Sequence, residues 1–202
     1  MTGSSDRGQA YTLESLVAAL LLVTAVLFAL QAVVITPTSA GAQDRDVQSQ
    51  RHQVASDLLT TAANDGELSR LARYWDCSDG GFADAGRTDT WVPRDGYPSD
   101  EVPIDDFGSA INQTFDAGTR YNVELVYASG DEQNVSRIVY QGTPGSDVVT
   151  ASHTIALTDG QLVTGPNSGS ETIGDCADSD SPPIPDEHGE VYNVVEIRVV
   201  LW

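Results

Sequence analysis

The chain has 202 residues and carries 30 acids against 10 bases, a formal charge of −20. All ten bases are Arg and no Lys occurs. A surface this acidic repels nucleic acid and anionic lipid headgroups, so no nucleic-acid partner is expected. Two meanings remain for the charge. One is an acidic interaction surface; the other is a halophilic trait, since concentrated salt screens the self-repulsion. The absence of Lys favours the second, and the charge then speaks of habitat rather than activity.

In chain order, the first feature is an apolar run over residues 13–35, LESLVAALLLVTAVLFALQAVVI, whose only charge is Glu14. As a helix it would rise roughly 34 Å, against a bilayer hydrocarbon core of about 30 Å. A helix apolar on all sides is not a surface helix of a soluble domain, so the run is expected to be membrane-inserted. Three readings of the N-terminus follow. In an uncut signal anchor, Arg7 holds the N-terminus in the cytoplasm. In a secretory signal peptide, Ser39-Ala40-Gly41-Ala42 before Gln43 supplies the cleavage site, but the run exceeds the usual apolar core of about 7–15 residues. In the third, a short polar leader ends at Arg7-Gly8-Gln9, directly before an apolar helix with an early Glu14.

This last arrangement resembles the archaeal type IV pilin-like proteins, archaellins included, over roughly residues 1–60. In that family a membrane-bound prepilin peptidase cuts after the Gly of an Arg-Gly or Lys-Gly pair, and Gln commonly starts the mature chain. The resemblance implies a leader over residues 1–8 and a retained hydrophobic helix over 9–36. The peptidase, the membrane and other pilin-like subunits are the implied partners. Pilins often carry Glu at the fifth mature position. Cleavage after Gly8 puts Glu14 at the sixth, and cleavage after Gln9 puts it at the fifth. The family assigns such a Glu to pairing with the N-terminal ammonium of a neighbouring subunit in the filament. From the residues alone, Glu14 equally suits the positive end of its own helix.

Thr36-Pro37 is expected to break or kink the helix. A polar helical pattern resumes at Gln43, with Val47, Val54, Leu58 and Ala62 as one apolar stripe, predicted to lie against the domain. Asp65-Gly66 ends it, and Leu68, Leu71, Ala72 and Trp75 suggest one or two further turns. Residues 37–75 thus form a kink and an amphipathic helix, and 76–202 an extracellular, β-rich domain. Residues 76–119 read as loop with one short strand near Trp91-Val92. Strands follow at Tyr121–Tyr127 and Val135–Gln141, around a Gly130-Asp131 turn. Ser152–Leu157 and Gln161–Thr164 are expected to form a hairpin around Asp159-Gly160. After another loop over 165–190, Val191–Leu201 is the strongest strand, with Val195, Ile197, Val199 and Leu201 on one face. The expected fold is α+β: a long N-terminal hydrophobic helix, an amphipathic extension and a small antiparallel sheet.

Two cysteines, Cys77 and Cys176, both lie beyond the apolar run. An even count in an exported domain suggests a disulfide. No CxxC or neighbouring His accompanies either, so no metal site is expected. The sequons Asn112-Gln113-Thr114 and Asn134-Val135-Ser136 are candidates for N-glycosylation.

No catalytic constellation is found. His52, His153 and His188 are scattered, and no nucleophile elbow, phosphate loop or dinucleotide fingerprint occurs. The acids Asp175, Asp178, Asp180, Asp186 and Glu187 match no EF-hand spacing and read as a solvated loop. No cofactor is expected and the chain is not expected to be an enzyme. The first functional expectation is a major or accessory subunit of a type IV pilus-like surface filament. It would be anchored single-pass with its N-terminus cytoplasmic and its domain outside. The alternative is a membrane-tethered extracellular binding module, with its site in the loops at 76–119 and 165–190; aromatics Trp75, Phe82, Trp91 and Tyr97 are compatible with a binding patch, though core packing is the better reading for most of them. An exported hydrolase has no residue-level support.

Overall fold

The computed structural model describes residues 5–31, 39–78, 80–85, 96–115, 118–145, 147–166, 168–177, 182–187, 189 and 191–202, with side chains from 14 to 27 and from 45 onward within those ranges. The chain is an α+β protein. It divides into two compact units, Met1–Asp44 and Arg45–Trp202.

Helix α1 (Ser5–Gln31) belongs to the first unit. Every described side chain between 14 and 27 is exposed, leucines and valines included. Thr24, a polar residue among them, turns its hydroxyl back onto the Leu20 and Leu21 carbonyls at 2.9 Å. Among the described residues no helix is long and apolar enough to cross a membrane. The described side chains of α1 cover a rise of about 21 Å, and the expected kink at Thr36-Pro37 lies outside the described residues.

Helix α2 (Ser39–Asn64) ends where Gly66 takes a left-handed conformation, φ 77°. There the Asp65 and Gly66 amides bond the Thr61 and Ala63 carbonyls, a glycine stop of the usual kind. Helix α3 (Glu67–Ala72) starts at once and buries Leu68, Leu71 and Ala72. A two-residue ribbon follows, β1 (Trp75–Asp76) against β2 (Gly81–Phe82). Helix α4 (Asp105–Thr114) opens with two acids, which suit the positive helix end, and buries Phe107, Gly108 and Ile111.

The main sheet is antiparallel with strand order β4-β3-β6-β5, from β3 (Tyr121–Ser129), β4 (Glu132–Tyr140), β5 (Val149–Leu157) and β6 (Asn193–Leu201). Gly130, at φ 63°, opens the two-residue loop between β3 and β4, as a tight hairpin requires. The central strands bury Val123, Leu125, Val195, Ile197, Val199 and Leu201 completely. This face joins Leu59, Leu71, Trp75, Phe107 and Ile111 in one core.

Three sequence expectations are corrected. Of the expected stripe on α2, Ala62 is buried and Leu58 half-buried against the core, but Val47 and Val54 are 48% and 38% exposed, and Ala55 and Leu59 complete the buried face instead. Ala55, Leu59 and Ala62 are the α2 residues that join the core shared with α4 and the sheet.

The expected hairpin after β5 does not form. Instead β5 pairs with β6 throughout, from Val149↔Leu201 to Leu157↔Asn193, and residues 161–164 run over the C-terminal end of α3. Arg73 donates to the Leu162 carbonyl. The Thr164 amide bonds the Arg73 carbonyl at 2.8 Å, and its hydroxyl bonds the Arg70 carbonyl at 2.6 Å. The Thr164 amide is thus taken by the end of α3, while the Val163 amide bonds the Glu171 carbonyl and Leu162 bridges Thr172, so the segment pairs away from β5. Gly165 completes the crossing: a Cβ there would lie 2.0 Å from the Trp75 carbonyl oxygen.

The long stretches read as loop contain helices, α4 in the first and α5 (Ile173–Ala177) in the second. The expected strand near Trp91-Val92 lies outside the described residues.

Candidate functional site

Helices α2 and α4 leave an open groove of about 420 Å³ between them. Its floor is apolar, built by Val54, Leu58, Ala62 and Ala110. Asp57, Asp65, Glu67 and Asp106 stand around it. A second hollow, lined by Arg51, Val54, Thr114 and Phe115, shares Val54 and Thr114 with the first, so the two form one trough along α2. Burial pushes the Glu67 carboxyl up from its ordinary range, and Asp106 and Asp65 add to the shift while Arg70 opposes it. The rim therefore concentrates like charge, which a cationic group would relieve. Among the described residues no group of His, Cys, Asp and Glu could hold a metal ion.

This trough was not legible as a site in the sequence, because α4 was hidden in a stretch rich in Asp, Gly and Pro. The available signal was small: Phe107 and Ile111 at i and i+4, with Asp105-Asp106 ahead of them. Gly108, which argues against a helix on propensity, is there for packing, since a Cβ would approach Val102 Cβ to 3.0 Å.

The residues singled out in the sequence fall in separate places. Arg7, Gly8 and Gln9 lie in the first turns of α1; their side chains are outside the described residues. Glu14 is exposed on the same helix. Cys77 and Cys176 form a disulfide. It ties the β1–β2 ribbon to α5 and closes a loop with a sequence separation of 99 residues.

The two sequons differ. Asn112, on α4, donates its amide to the Ser99 carbonyl at 2.8 Å and accepts the Tyr121 hydroxyl at 2.8 Å. A glycan on that nitrogen would remove a donor hydrogen from a structured contact. Asn134 lies exposed on β4, an edge strand, and its sequon hydroxyl, Ser136, is 3.0 Å from the Tyr127 hydroxyl.

Core packing, the reading preferred for most of these aromatics, holds for three of them: Trp75, Phe82 and Tyr97 are all buried, and Trp91 lies outside the described residues. Trp75 donates its indole N–H to the Ala72 carbonyl at 2.6 Å and leans on Tyr192 with ring centroids 5.8 Å apart. Tyr97 donates its hydroxyl to the Ala83 carbonyl at 2.6 Å. These rings fix the loops onto the core rather than offering them to a ligand.

The acidic loop near the C-terminus is likewise structural where it is described. Asp175 accepts the Thr172 amide and hydroxyl, which hold its carboxyl below the usual range. Glu187 accepts the Gly130 amide at 2.9 Å. Asp178 and Asp180 lie outside the described residues. His52 is on α2 and His153 on β5, while His188 is not described.

Residues 7–201 match a family described as a family of unknown function, DUF7288. No curated protein and no solved structure matches the chain.

Proposed function

For a chain that belongs to this DUF7288 family over nearly its whole length, we propose a pilin-like role: a major or accessory subunit of a type IV pilus-like surface filament. Prepilin peptidase would remove residues 1–8 at Arg7-Gly8, leaving Gln9 as the mature N-terminus. The hydrophobic helix would anchor the chain single-pass before assembly and pack with its copies afterwards, with the disulfide-bonded domain outside the cell.

The observation that carries this reading is the surface of α1. Its leucines and valines from Leu16 to Leu27 are exposed on every side, an arrangement stable only in lipid or among other apolar helices. Thr24 satisfies its hydroxyl within the helix, which suits a surrounding without water. Glu14 would sit where a carboxylate is mildly favoured by its own helix end or pairs with a neighbour's ammonium. A glycan at Asn134, on an exposed edge strand, fits a domain outside the cell better than one at Asn112.

The test is the intact mass of the mature chain from the membrane fraction. A start at Gln9 supports the reading. A start at Gln43 means a released secretory protein and sinks it, and a start at Met1 leaves a plain anchor. Exchanging residues 13–35 for an unrelated spanning helix separates the alternative. A tethered binding module keeps its behaviour after the exchange, whereas a filament subunit no longer assembles.

A further inference from the structure

The main sheet has two edges, and they differ. At one, β4 carries Glu132 and Arg137, and its pairing with β3 shifts register between Val123 and Glu124. Tyr97 bridges Val139 from outside, its amide on the Ile138 carbonyl at 2.7 Å. Charge, irregularity and a covering segment are the usual devices that stop one sheet edge from pairing with another. At the other edge, β5 has the sequence VTASHTIAL, without Asp, Glu, Arg, Gly or Pro. Its nine residues pair with β6 without a shift in register. Among the described residues no other backbone group bonds or bridges its outer side. In a chain of charge −20, this edge can be approached by a second copy without setting carboxylate against carboxylate along the strand.

We propose that β5 pairs with β5 of a second copy, antiparallel about a two-fold axis at His153, so that the two four-stranded sheets become one. Residues directly opposite in an antiparallel pair lie on the same face. The register centred on His153 pairs the whole strand, and any other centre leaves residues hanging at the ends. On the inner side Val149 then faces Leu157, Ala151 faces Ile155, and His153 faces its own copy. On the outer side Thr150 faces Ala156 and Ser152 faces Thr154. This self-complementarity selects a second copy as the occupant: the half-buried Ile155 meets the small Ala151, and both ends close apolar on apolar.

Such a contact is isologous and closes on itself. It lies within the Arg45–Trp202 unit and needs neither α1 nor the filament reading. Asp147 and Asp159, both exposed, lie just past the two ends of the strand and come opposite one another between copies. Their repulsion is screened by salt, so the pairing strengthens as salt is added.

The experiment uses the chain expressed at full length, in whichever fraction holds it, with Thr150→Cys and Ala156→Cys together. Both positions are exposed. They lie about 20 Å apart along one strand, too far to bridge within a copy, and the native cysteines are bonded to each other. Under mild oxidation a disulfide-linked dimer is expected, with the bond mapped by mass spectrometry between positions 150 and 156. Each single variant alone is expected to give none, and a mixture of the two to give the same bond. The yield is expected to rise with salt. Adding Ser152→Lys and Thr154→Lys sets like charges directly opposite and is expected to lower the yield about ten-fold, even though the chain as a whole becomes less acidic. Thermal unfolding of the reduced variants, matching the wild type, checks that only the edge was altered. The pairing is overturned by the absence of dimer from both the double variant and the mixture, by a bond to a different protein, by equal dimer from each single variant, or by a yield indifferent to the lysines. The filament reading, which stands on α1, survives each of these.

Discussion

Helices α1 and α2 are nearly the same length, 27 and 26 residues, yet they solve opposite problems. Over its described side chains α1 buries nothing within its own chain. In contrast α2 buries Ala55, Leu59 and Ala62 completely or nearly so against the domain, while its preceding turns stay exposed. A helix whose apolar surface is matched by its own domain is explained by folding. One whose leucines face outward is explained only by whatever else covers them. The difference separates what this protein needs in order to fold from what it needs in order to act.

The widest separation between the two helices comes from charging α1. Leu21→Arg with Val26→Arg costs about 5 to 7 kcal/mol of insertion on the translocon scale. If α1 anchors the chain as proposed, the variant leaves the membrane fraction, while the thermal unfolding of the Arg45–Trp202 unit stays where it was. A shift in that unfolding would break the comparison, because α1 would then support the domain.

Removing the disulfide acts on the domain alone. Cys77→Ser with Cys176→Ser is expected to lower stability by about 4 to 5 kcal/mol in the chain-entropy picture, read from urea unfolding. Membrane association should not change. A loss below about 1 kcal/mol would mean that the buried rings of Trp75 and Tyr192 hold this corner without the covalent bond.

Within α2 the same contrast is sharpened at adjacent turns. Leu59→Ala should cost about 2 to 5 kcal/mol, as a buried leucine does, whereas Val54→Ala should stay within about 1 kcal/mol in the isolated chain. If assembled material is lost on Val54→Ala with unfolding unchanged, the exposed stripe belongs to contacts between copies.

The smallest effect is in pH. Burial pushes the Tyr121 hydroxyl up to about 12, and burial raises Tyr97 and Tyr192 as well. A raised phenol favours the neutral form in the folded state. Its contribution is therefore fully present below the unfolded value of about 10 and is lost as pH climbs from there through about 12. Denaturation followed by tyrosinate absorbance should show delayed ionisation followed by a cooperative loss of structure. Ionisation of all tyrosines near pH 10 with the fold intact would contradict their burial.

Much of the sheet was legible in advance, because a strand needs only a period of two to declare its faces. Val195, Ile197, Val199 and Leu201 share a face in the sequence and are completely buried together in the core. The stop at Asp65-Gly66 and the paired cysteines were equally local: one depends on a residue free to adopt positive φ, the other on parity and composition. The trough was not legible. Its floor needs α4, and α4 is held by Phe107 and Ile111 reaching partners far away in the chain, in a segment whose Gly108 and acids argue for loop. The partner of β5 was missed for the same reason. A Gly turn points to the nearest strand, but Arg73, about ninety residues upstream, claims residues 161–164 and leaves β5 to β6.

By itself, then, the sequence determined the apolar run at the N-terminus, the acidic charge, the alternating strands and the glycine stops. Each of these follows from period, composition or backbone freedom within a few residues. Only the tertiary structure decided which face of α2 is buried, which strand β5 joins, and that a helix, α4, forms in the stretch read as loop. Those outcomes depend on competition among distant groups for the same surface and the same hydrogen bonds, and no local pattern encodes which group wins.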